Sequence, residues 1–356
     1  MRFILLLSIV FAPAAFGQGL TWSQCGGIDQ CLPGVASTAV SSSKSTSIKA
    51  SSSSSTLSTV ISRSSSTKGP TSTSSLTKIS STITSKTTSS SQAASTGWEY
   101  LISLEYTRKS IIPRLDDHER LQLGKVTSDT SQWIDYVIAT YNKTLILSYN
   151  FAYGGATTDA SLVTPYENTV LSFVDQTTEY STYLVPPPSY AEWTASNALF
   201  AVWMGVNDVG NAWYASNWTA IAEAVVTRYF QEVEIMYQAG ARNFLFLTVP
   251  PIQYTPLVIA EGTSDVTAVG DAVVYFNGLL TAAAASFKSA NSGSTVYVYD
   301  TTTPFMTAIN NPTAYGAPNA TCFNGDGVSC LWFNNYHPGQ AIHNLIAKGI
   351  SALTGI

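Results

Sequence analysis

"NALFAVWMGVND" spans residues 197–208. Seven apolar or small residues in a row, Ala198 to Met204, then give way to Gly-Val-Asn-Asp. A continuously apolar run that stops at a glycine reads as a strand buried on both faces. The chain repeats the pattern on either side. "TLILSYNFA" (144–152) runs into Gly154-Gly155, "RNFLFLTVPP" (242–251) closes on two prolines, and "STVYVYD" (294–300) is a further apolar run. "YLISL" (100–104) is a plausible first strand. Helical stretches lie between and after them. "AEAVVTRYFQEVEIMYQAG" (222–240) has Val225, Tyr229, Val233 and Met236 at helical spacing, with Gly240 as a stop. "VGDAVVYFNGLLTAAAASFKSA" (269–290) reads as a long helix. "HPGQAIHNLIAKGISAL" (337–353) reads as a turn and a final helix, with Pro338 near its first turn. Buried strands separated by helices predict a parallel sheet covered on both faces, a three-layer α/β/α domain over 97–356. In such sheets ligands bind at the carboxyl ends of the strands.

The rest of the 356-residue chain is of a different kind. "MRFILLLSIVFAPAAFGQ" has one Arg, a short apolar run and small residues after it, the layout of a secretory signal peptide over 1–17. Its apolar run is too short to span a bilayer. No other segment reads as a span, so the expectation is a soluble, exported protein with no membrane partner. Residues 37–96 are about two-thirds Ser and Thr and predict a disordered, O-glycosylated linker. Only the stub 18–36 remains between leader and linker.

Four cysteines fit an oxidising compartment. Cys322 and Cys330 enclose "FNGDGVS", and the reading favours a local disulfide there over two free thiols. Asn142, Asn217 and Asn319 each head an Asn-x-Ser/Thr acceptor for a glycan. The net charge is −5 and only 11% of residues are charged, with no basic stripe, which argues against nucleic acid. Scarce charge with abundant Ser, Thr, Asn and Tyr suits neutral substrates such as sugars.

Three strand ends carry residues of one kind: "NFAYGGAT", "GVND" and "NNYHPG". Together, in this order and at wide spacing, they resemble the blocks of the SGNH hydrolases, also called GDSL esterases and lipases. The fungal secreted acetylesterases of carbohydrate esterase family 16 are the nearest branch. The resemblance implies a flavodoxin-like fold and ester hydrolysis without metal or cofactor. It implies that Gly155 offers a backbone N–H to the oxyanion, that Asn207 donates its side-chain N–H, and that His337 is the general base. Those residue types suit the chemistry. Donors aimed at the tetrahedral oxyanion supply much of the rate, and a histidine takes the serine proton and returns it to the leaving alkoxide. Taken singly, a Gly-Gly pair is usually a tight turn and Asn-Asp usually a cap. His118 and His343 receive no role.

The stub "TWSQCGGIDQCLPG" resembles the opening and the closing of a fungal-type cellulose-binding module with its middle missing. In that family the first and last cysteines each pair with a middle one, so Cys25 and Cys31 are not natural partners. The stub is expected to be disordered and not to bind cellulose. Trp22 is the one side chain left for weak contact with it.

Two departures stand out in the esterase. Where the family places an acid three residues before the histidine, this chain has Asn334. A neutral Asn can accept the imidazole Nδ1–H but cannot stabilise imidazolium, and the equivalent change in a serine protease costs about 10⁴ in rate. The second departure is larger. The family's first block, Phe then Gly-Asp-Ser, follows the first strand. Here "YLIS" leads to Leu104-Glu105 and then Tyr106-Thr107, so the Gly-Asp-Ser is reduced to one Glu. The nucleophile is unknown. Ser103 would lie within the strand, Ser110 stands in an unmatched context, and nothing else supports Glu105 as a nucleophile. Nine of the 39 Asp, Glu, Lys and Arg residues fall between Glu105 and Lys125, and the match resumes near "TSDTSQWIDYVIATYN" (127–142). Both family modules thus show a clean internal loss. Decay into a non-enzyme would do this, as would a mis-joined exon or a frameshift in the deduced sequence. The intact flanks favour the latter.

The expected substrate is an acetylated plant cell-wall oligosaccharide or polysaccharide, with little or no turnover by the chain as written. Two alternatives stay open: a non-catalytic carbohydrate-binding protein using the old cleft with Trp203 and Trp213, and a lipase-like esterase for longer acyl chains.

Overall fold

A computed structural model describes residues 97–106 and 131–356. The expected signal peptide, cellulose-binding remnant with Trp22, Cys25 and Cys31, and linker, and Ser110 and His118 of the charged run, all lie outside the described residues.

Five strands form one parallel sheet: β1 (Tyr100–Glu105), β2 (Leu147–Asn150), β3 (Ala198–Trp203), β4 (Asn243–Leu247) and β5 (Thr295–Tyr299). Their spatial order is β2-β1-β3-β4-β5, so the strand order reverses between β1 and β3. That is the flavodoxin-like topology, with its switch point at the carboxyl ends of those two strands. The expected three-layer α/β/α fold is thereby observed. β1 and β3 end level, Glu105 opposite Trp203.

Helices α1 (Trp133–Tyr136, continuing as a π-turn Val137–Tyr141), α7 (Thr302–Asn310) and α8 (Gln340–Thr354) pack together on one face of the sheet. Helices α2 (Phe173–Leu184), α4 (Trp218–Gln238) and α6 (Thr263–Ala290) pack in a row on the other. The short α3 (Val206–Ala212) leads out of β3, and α5 (Pro256–Glu261) precedes α6. Every residue of β3 is buried. Leu199, Phe200 and Val202 each contribute about 1.5–3 kcal/mol by leaving water. Phe246 meets Tyr229 and Phe230 of α4, and Phe244 meets Phe200 of β3 and Phe287 of α6, which locks the second helical layer to the central strands.

Local chemistry sets several boundaries. α2 opens on a capping box, in which the Ser172 N–H donates to Asp175 Oδ2 at 2.8 Å and the Asp175 N–H donates back to Ser172 Oγ at 3.4 Å. Pro256 stands at the start of α5 behind the Thr255 cap. The last helix begins at Gln340 rather than at Pro338, which lies before its cap. α6 begins six residues earlier than its expected start at 269 and is long and apolar enough to cross a bilayer by length and composition alone. That corrects the expectation that no segment beyond the leader qualifies. Its apolar face is spent inside the fold, where Val269, Val273, Phe276, Leu280 and Phe287 are buried.

Candidate active site

The end of β3 makes a sharp exit. Gly205 has φ +108, and a Cβ there would stand 2.4 Å from the Phe276 ring and 2.8 Å from Val249. Only glycine meets both conditions. The turn delivers Asn207 and Asp208 into the first turn of α3 instead of at a strand end. Asn207 is nearly buried, and its Nδ2 donates to the Ala156 carbonyl at 2.9 Å. The amide carries a second proton for a ligand. Asp208 is fully buried and accepts from the Thr158 N–H at 2.9 Å and the Thr158 hydroxyl at 3.2 Å. Burial pushes its carboxyl up to about 6 against the pull of those hydrogen bonds. Asp208 therefore ties α3 to the loop after β2, a bracing role that the Gly-x-Asn-Asp pattern alone does not convey.

That loop runs along the end of β1. Phe151, Tyr153 and Gly155 donate their N–H groups to the carbonyls of Ser103, Glu105 and Tyr106 at 2.9, 3.1 and 2.9 Å. Gly155 has φ +84, and a Cβ would enter the Tyr166 ring at 2.2 Å. Its N–H, the donor that the resemblance assigns to the oxyanion, is thus given to Tyr106.

The histidine loop is organised by Asn334. Its Oδ1 accepts from the Tyr336 and His337 N–H groups at 2.9 and 2.7 Å, and stands 3.1 Å from His337 Nδ1. With Nδ1 protonated toward that oxygen, Nε2 keeps its lone pair. Burial lowers His337 to about 4, so the ring is neutral through the ordinary pH range. His343, buried on α8, is lowered to about 3, first by burial and then by the charge of His337. Cys322 and Cys330 are bonded, their Cα atoms 5.1 Å apart. The loop that they close holds the histidine loop through its main chain. Trp332 donates to the Cys322 carbonyl at 3.3 Å, Asn324 to Trp332 at 3.0 Å, and Gln340 to Gly327 at 2.8 Å.

At the end of β1, Ser103 is fully buried between Asn150 and Ala201, and its hydroxyl has no hydrogen-bond partner. It cannot meet a substrate. Glu105 is not a turn residue but the last residue of the strand, 1% exposed. Its Oε2 accepts from Trp133 Nε1 at 3.0 Å, and its backbone is clamped by the Gln176 amide through two bonds of 3.0 Å. Tyr106 stands edge-on to Trp203, with ring centroids 5.3 Å apart. Burial, then the neighbouring Tyr336 and Glu105, holds its phenol well above the usual range. Tyr336 in turn meets His337 edge-on at 5.5 Å. Contacts thus join His337 to Tyr336 on one side, and Tyr106 to Gly155, next to the Ala156 carbonyl that holds Asn207, on the other. Trp203 is fully buried, its Nε1 donating to the Thr248 carbonyl at 2.9 Å, so it offers no sugar platform. Trp213 is partly exposed. Of the three expected glycan acceptors, Asn142 is partly exposed and Asn217 and Asn319 are exposed. Among the described residues no cluster of three His, Cys, Asp or Glu is placed to hold a metal.

The sequence profile of the GDSL-like lipase/acylhydrolase family matches residues 88–350. An acetylesterase of Thermothelomyces thermophilus is 48% identical over 229 residues, 64% of this chain and 76% of the relative. A GDSL esterase/lipase of Arabidopsis thaliana is 26% identical over 44% of this chain, and the match spans only 53% of its length. A solved structure from Veillonella parvula, a member of the lipolytic G-D-S-L family, covers 72% of this chain and 98% of its own at 12% identity with a TM-score of 0.43. With the family profile reaching from before β1 into the last helix, and with the acetylesterase nearly half identical, the chain belongs to the GDSL-like lipase/acylhydrolase family.

Proposed function

We propose that the chain is a secreted carbohydrate esterase scaffold for acetylated plant cell-wall oligosaccharides, and that it hydrolyses little or no ester as it stands. The observation that carries the reading is the 3.1 Å contact between His337 Nδ1 and Asn334 Oδ1. It fixes one tautomer and leaves Nε2 as a proton acceptor. Asn207 supplies an amide donor held by Ala156. Hydrolysis needs one more group, a nucleophile beside Nε2. At the end of β1 the described chain offers only a buried Ser103, a buried Glu105 and Tyr106. Burial makes His337 a weak base, and a neutral Asn gives imidazolium no counter-charge to offset it. The 48% identical acetylesterase supports an acetyl ester as substrate. Export is supported by the signal-like N-terminus and by the disulfide.

The purified chain is tested with 4-nitrophenyl acetate. The expected rate is that of buffer. Hydrolysis that His337→Ala abolishes would overturn the inactive reading.

A further inference from the structure

The histidine loop is a small hairpin, and its pairing dictates which side chains share a face. Trp332 and Pro338 form an antiparallel bridge. It is flanked by the Phe333 N–H donating to the His337 carbonyl at 2.8 Å and the Gly339 N–H donating to Leu331 at 2.7 Å. Phe333 and His337 are therefore the next opposed pair. Their side chains leave the same face, about 5 Å apart, opposite to the face of Trp332. Trp332 is fully buried, so its face turns inward there, while Phe323 beside it at the edge stands 56% exposed. On the other side, Phe323 bridges Trp332 in parallel, which puts Asn324 beside Phe333. The outward row thus reads Asn324, Phe333, His337, with neighbours about 5 Å apart and the ends about 10 Å apart.

The row has the composition of a sugar site. Phe333 and His337 are partly exposed and Asn324 is exposed. Among the described residues Phe333 does not pack on the hydrophobic core, unlike its neighbour Trp332. Asn324 Oδ1 accepts from the Asp326 N–H at 3.2 Å, which leaves the side-chain NH₂ to donate. The backing is rigid. The Cys322–Cys330 bond closes the loop, and Asp326 Oδ1 accepts from the Val328 and Ser329 N–H groups at 2.9 and 3.0 Å.

We propose that Asn324 and Phe333 form a saccharide subsite next to His337, in which a pyranose ring lies on the Phe333 face, Asn324 donates to a ring hydroxyl, and the acetylated oxygen points toward the imidazole. An aromatic face takes the apolar C–H face of a pyranose, and a neutral amide suits an uncharged hydroxyl. The inference rests on the acetylated-oligosaccharide reading above, and its test separates the two. The full chain is titrated calorimetrically with xylotriose carrying one O-acetyl group. Phe333→Ala is expected to weaken binding about tenfold and Asn324→Ala about threefold, while Phe333→Trp keeps the affinity. Thermal unfolding of each variant accompanies the titration, and unchanged midpoints assign the loss to the subsite. Binding by the parent that Phe333→Ala leaves intact would overturn the subsite alone. No binding by the parent would overturn the subsite and the substrate class together.

Discussion

β1 and β3 are neighbours that end level, yet their exits differ. After Trp203 the chain passes through Gly205 in a left-handed turn and lays Asn207 and Asp208 on a helix. After Leu104 there is no glycine, and Glu105 and Tyr106 continue inward, clamped by Gln176, Trp133 and Trp203. The sheet accepts both because strand burial ignores what comes next. Chemistry does not, since a reactive side chain at a strand end must be turned out of the core. The Gly155 N–H shows the consequence, because it pairs with the Tyr106 carbonyl that occupies the place of such a turn.

The largest test makes the two exits alike. Replacing Glu105 by Gly-Asp-Ser is expected to raise 4-nitrophenyl acetate hydrolysis on the order of 10³-fold over the parent. The gain should vanish with His337→Ala, and an unchanged rate would place the defect beyond the strand end. Removing the special feature of the intact exit comes next. Gly205→Ala should cost about 3 kcal/mol in urea unfolding, since both φ and the Phe276 contact oppose a side chain. A midpoint equal to the parent's would mean that β3's exit is no more constrained than β1's. Opening the loop that backs the base is a slightly smaller change. Replacing Cys322 and Cys330 by Ser should cost about 2.5 kcal/mol, the entropy of so short a loop.

The smallest effect concerns the base itself. Burial holds His337 near 4, and the imidazole must be neutral to accept a proton. In the Gly-Asp-Ser variant the rate should therefore rise with pH through about 4 and level above it. Asn334→Asp adds a carboxylate that favours imidazolium, so the same limb should move up by about one unit or more. A limb that stays in place would show that Asn334 already does all that an acid could do.

Much of this was legible in the sequence. β3 announces itself as an unbroken apolar run and the other strands as mostly apolar ones, and Val225, Tyr229, Val233 and Met236 mark α4 by spacing alone. α2 is hard to read because "FVDQTTEYSTYL" is mostly polar, and its start rests on the Ser172–Asp175 cap. The Asn334–His337 contact is legible through the family resemblance, which places the histidine's partner three residues before it. The fate of the Gly155 N–H is not, because it depends on residues 151–155 lying in register along the end of β1. Glu105 belongs to the strand for the same reason, through Trp133 and Gln176, partners 28 and 71 residues away.

The Cys322–Cys330 loop also bears on how the protein is made. The sheet contains no disulfide, whereas the imidazole is held by a loop that an oxidising compartment must close. Two preparations with identical sequence and identical far-UV spectra can therefore differ in the loop that carries Asn324, Phe333 and His337. A thiol titration belongs before any kinetic comparison between laboratories.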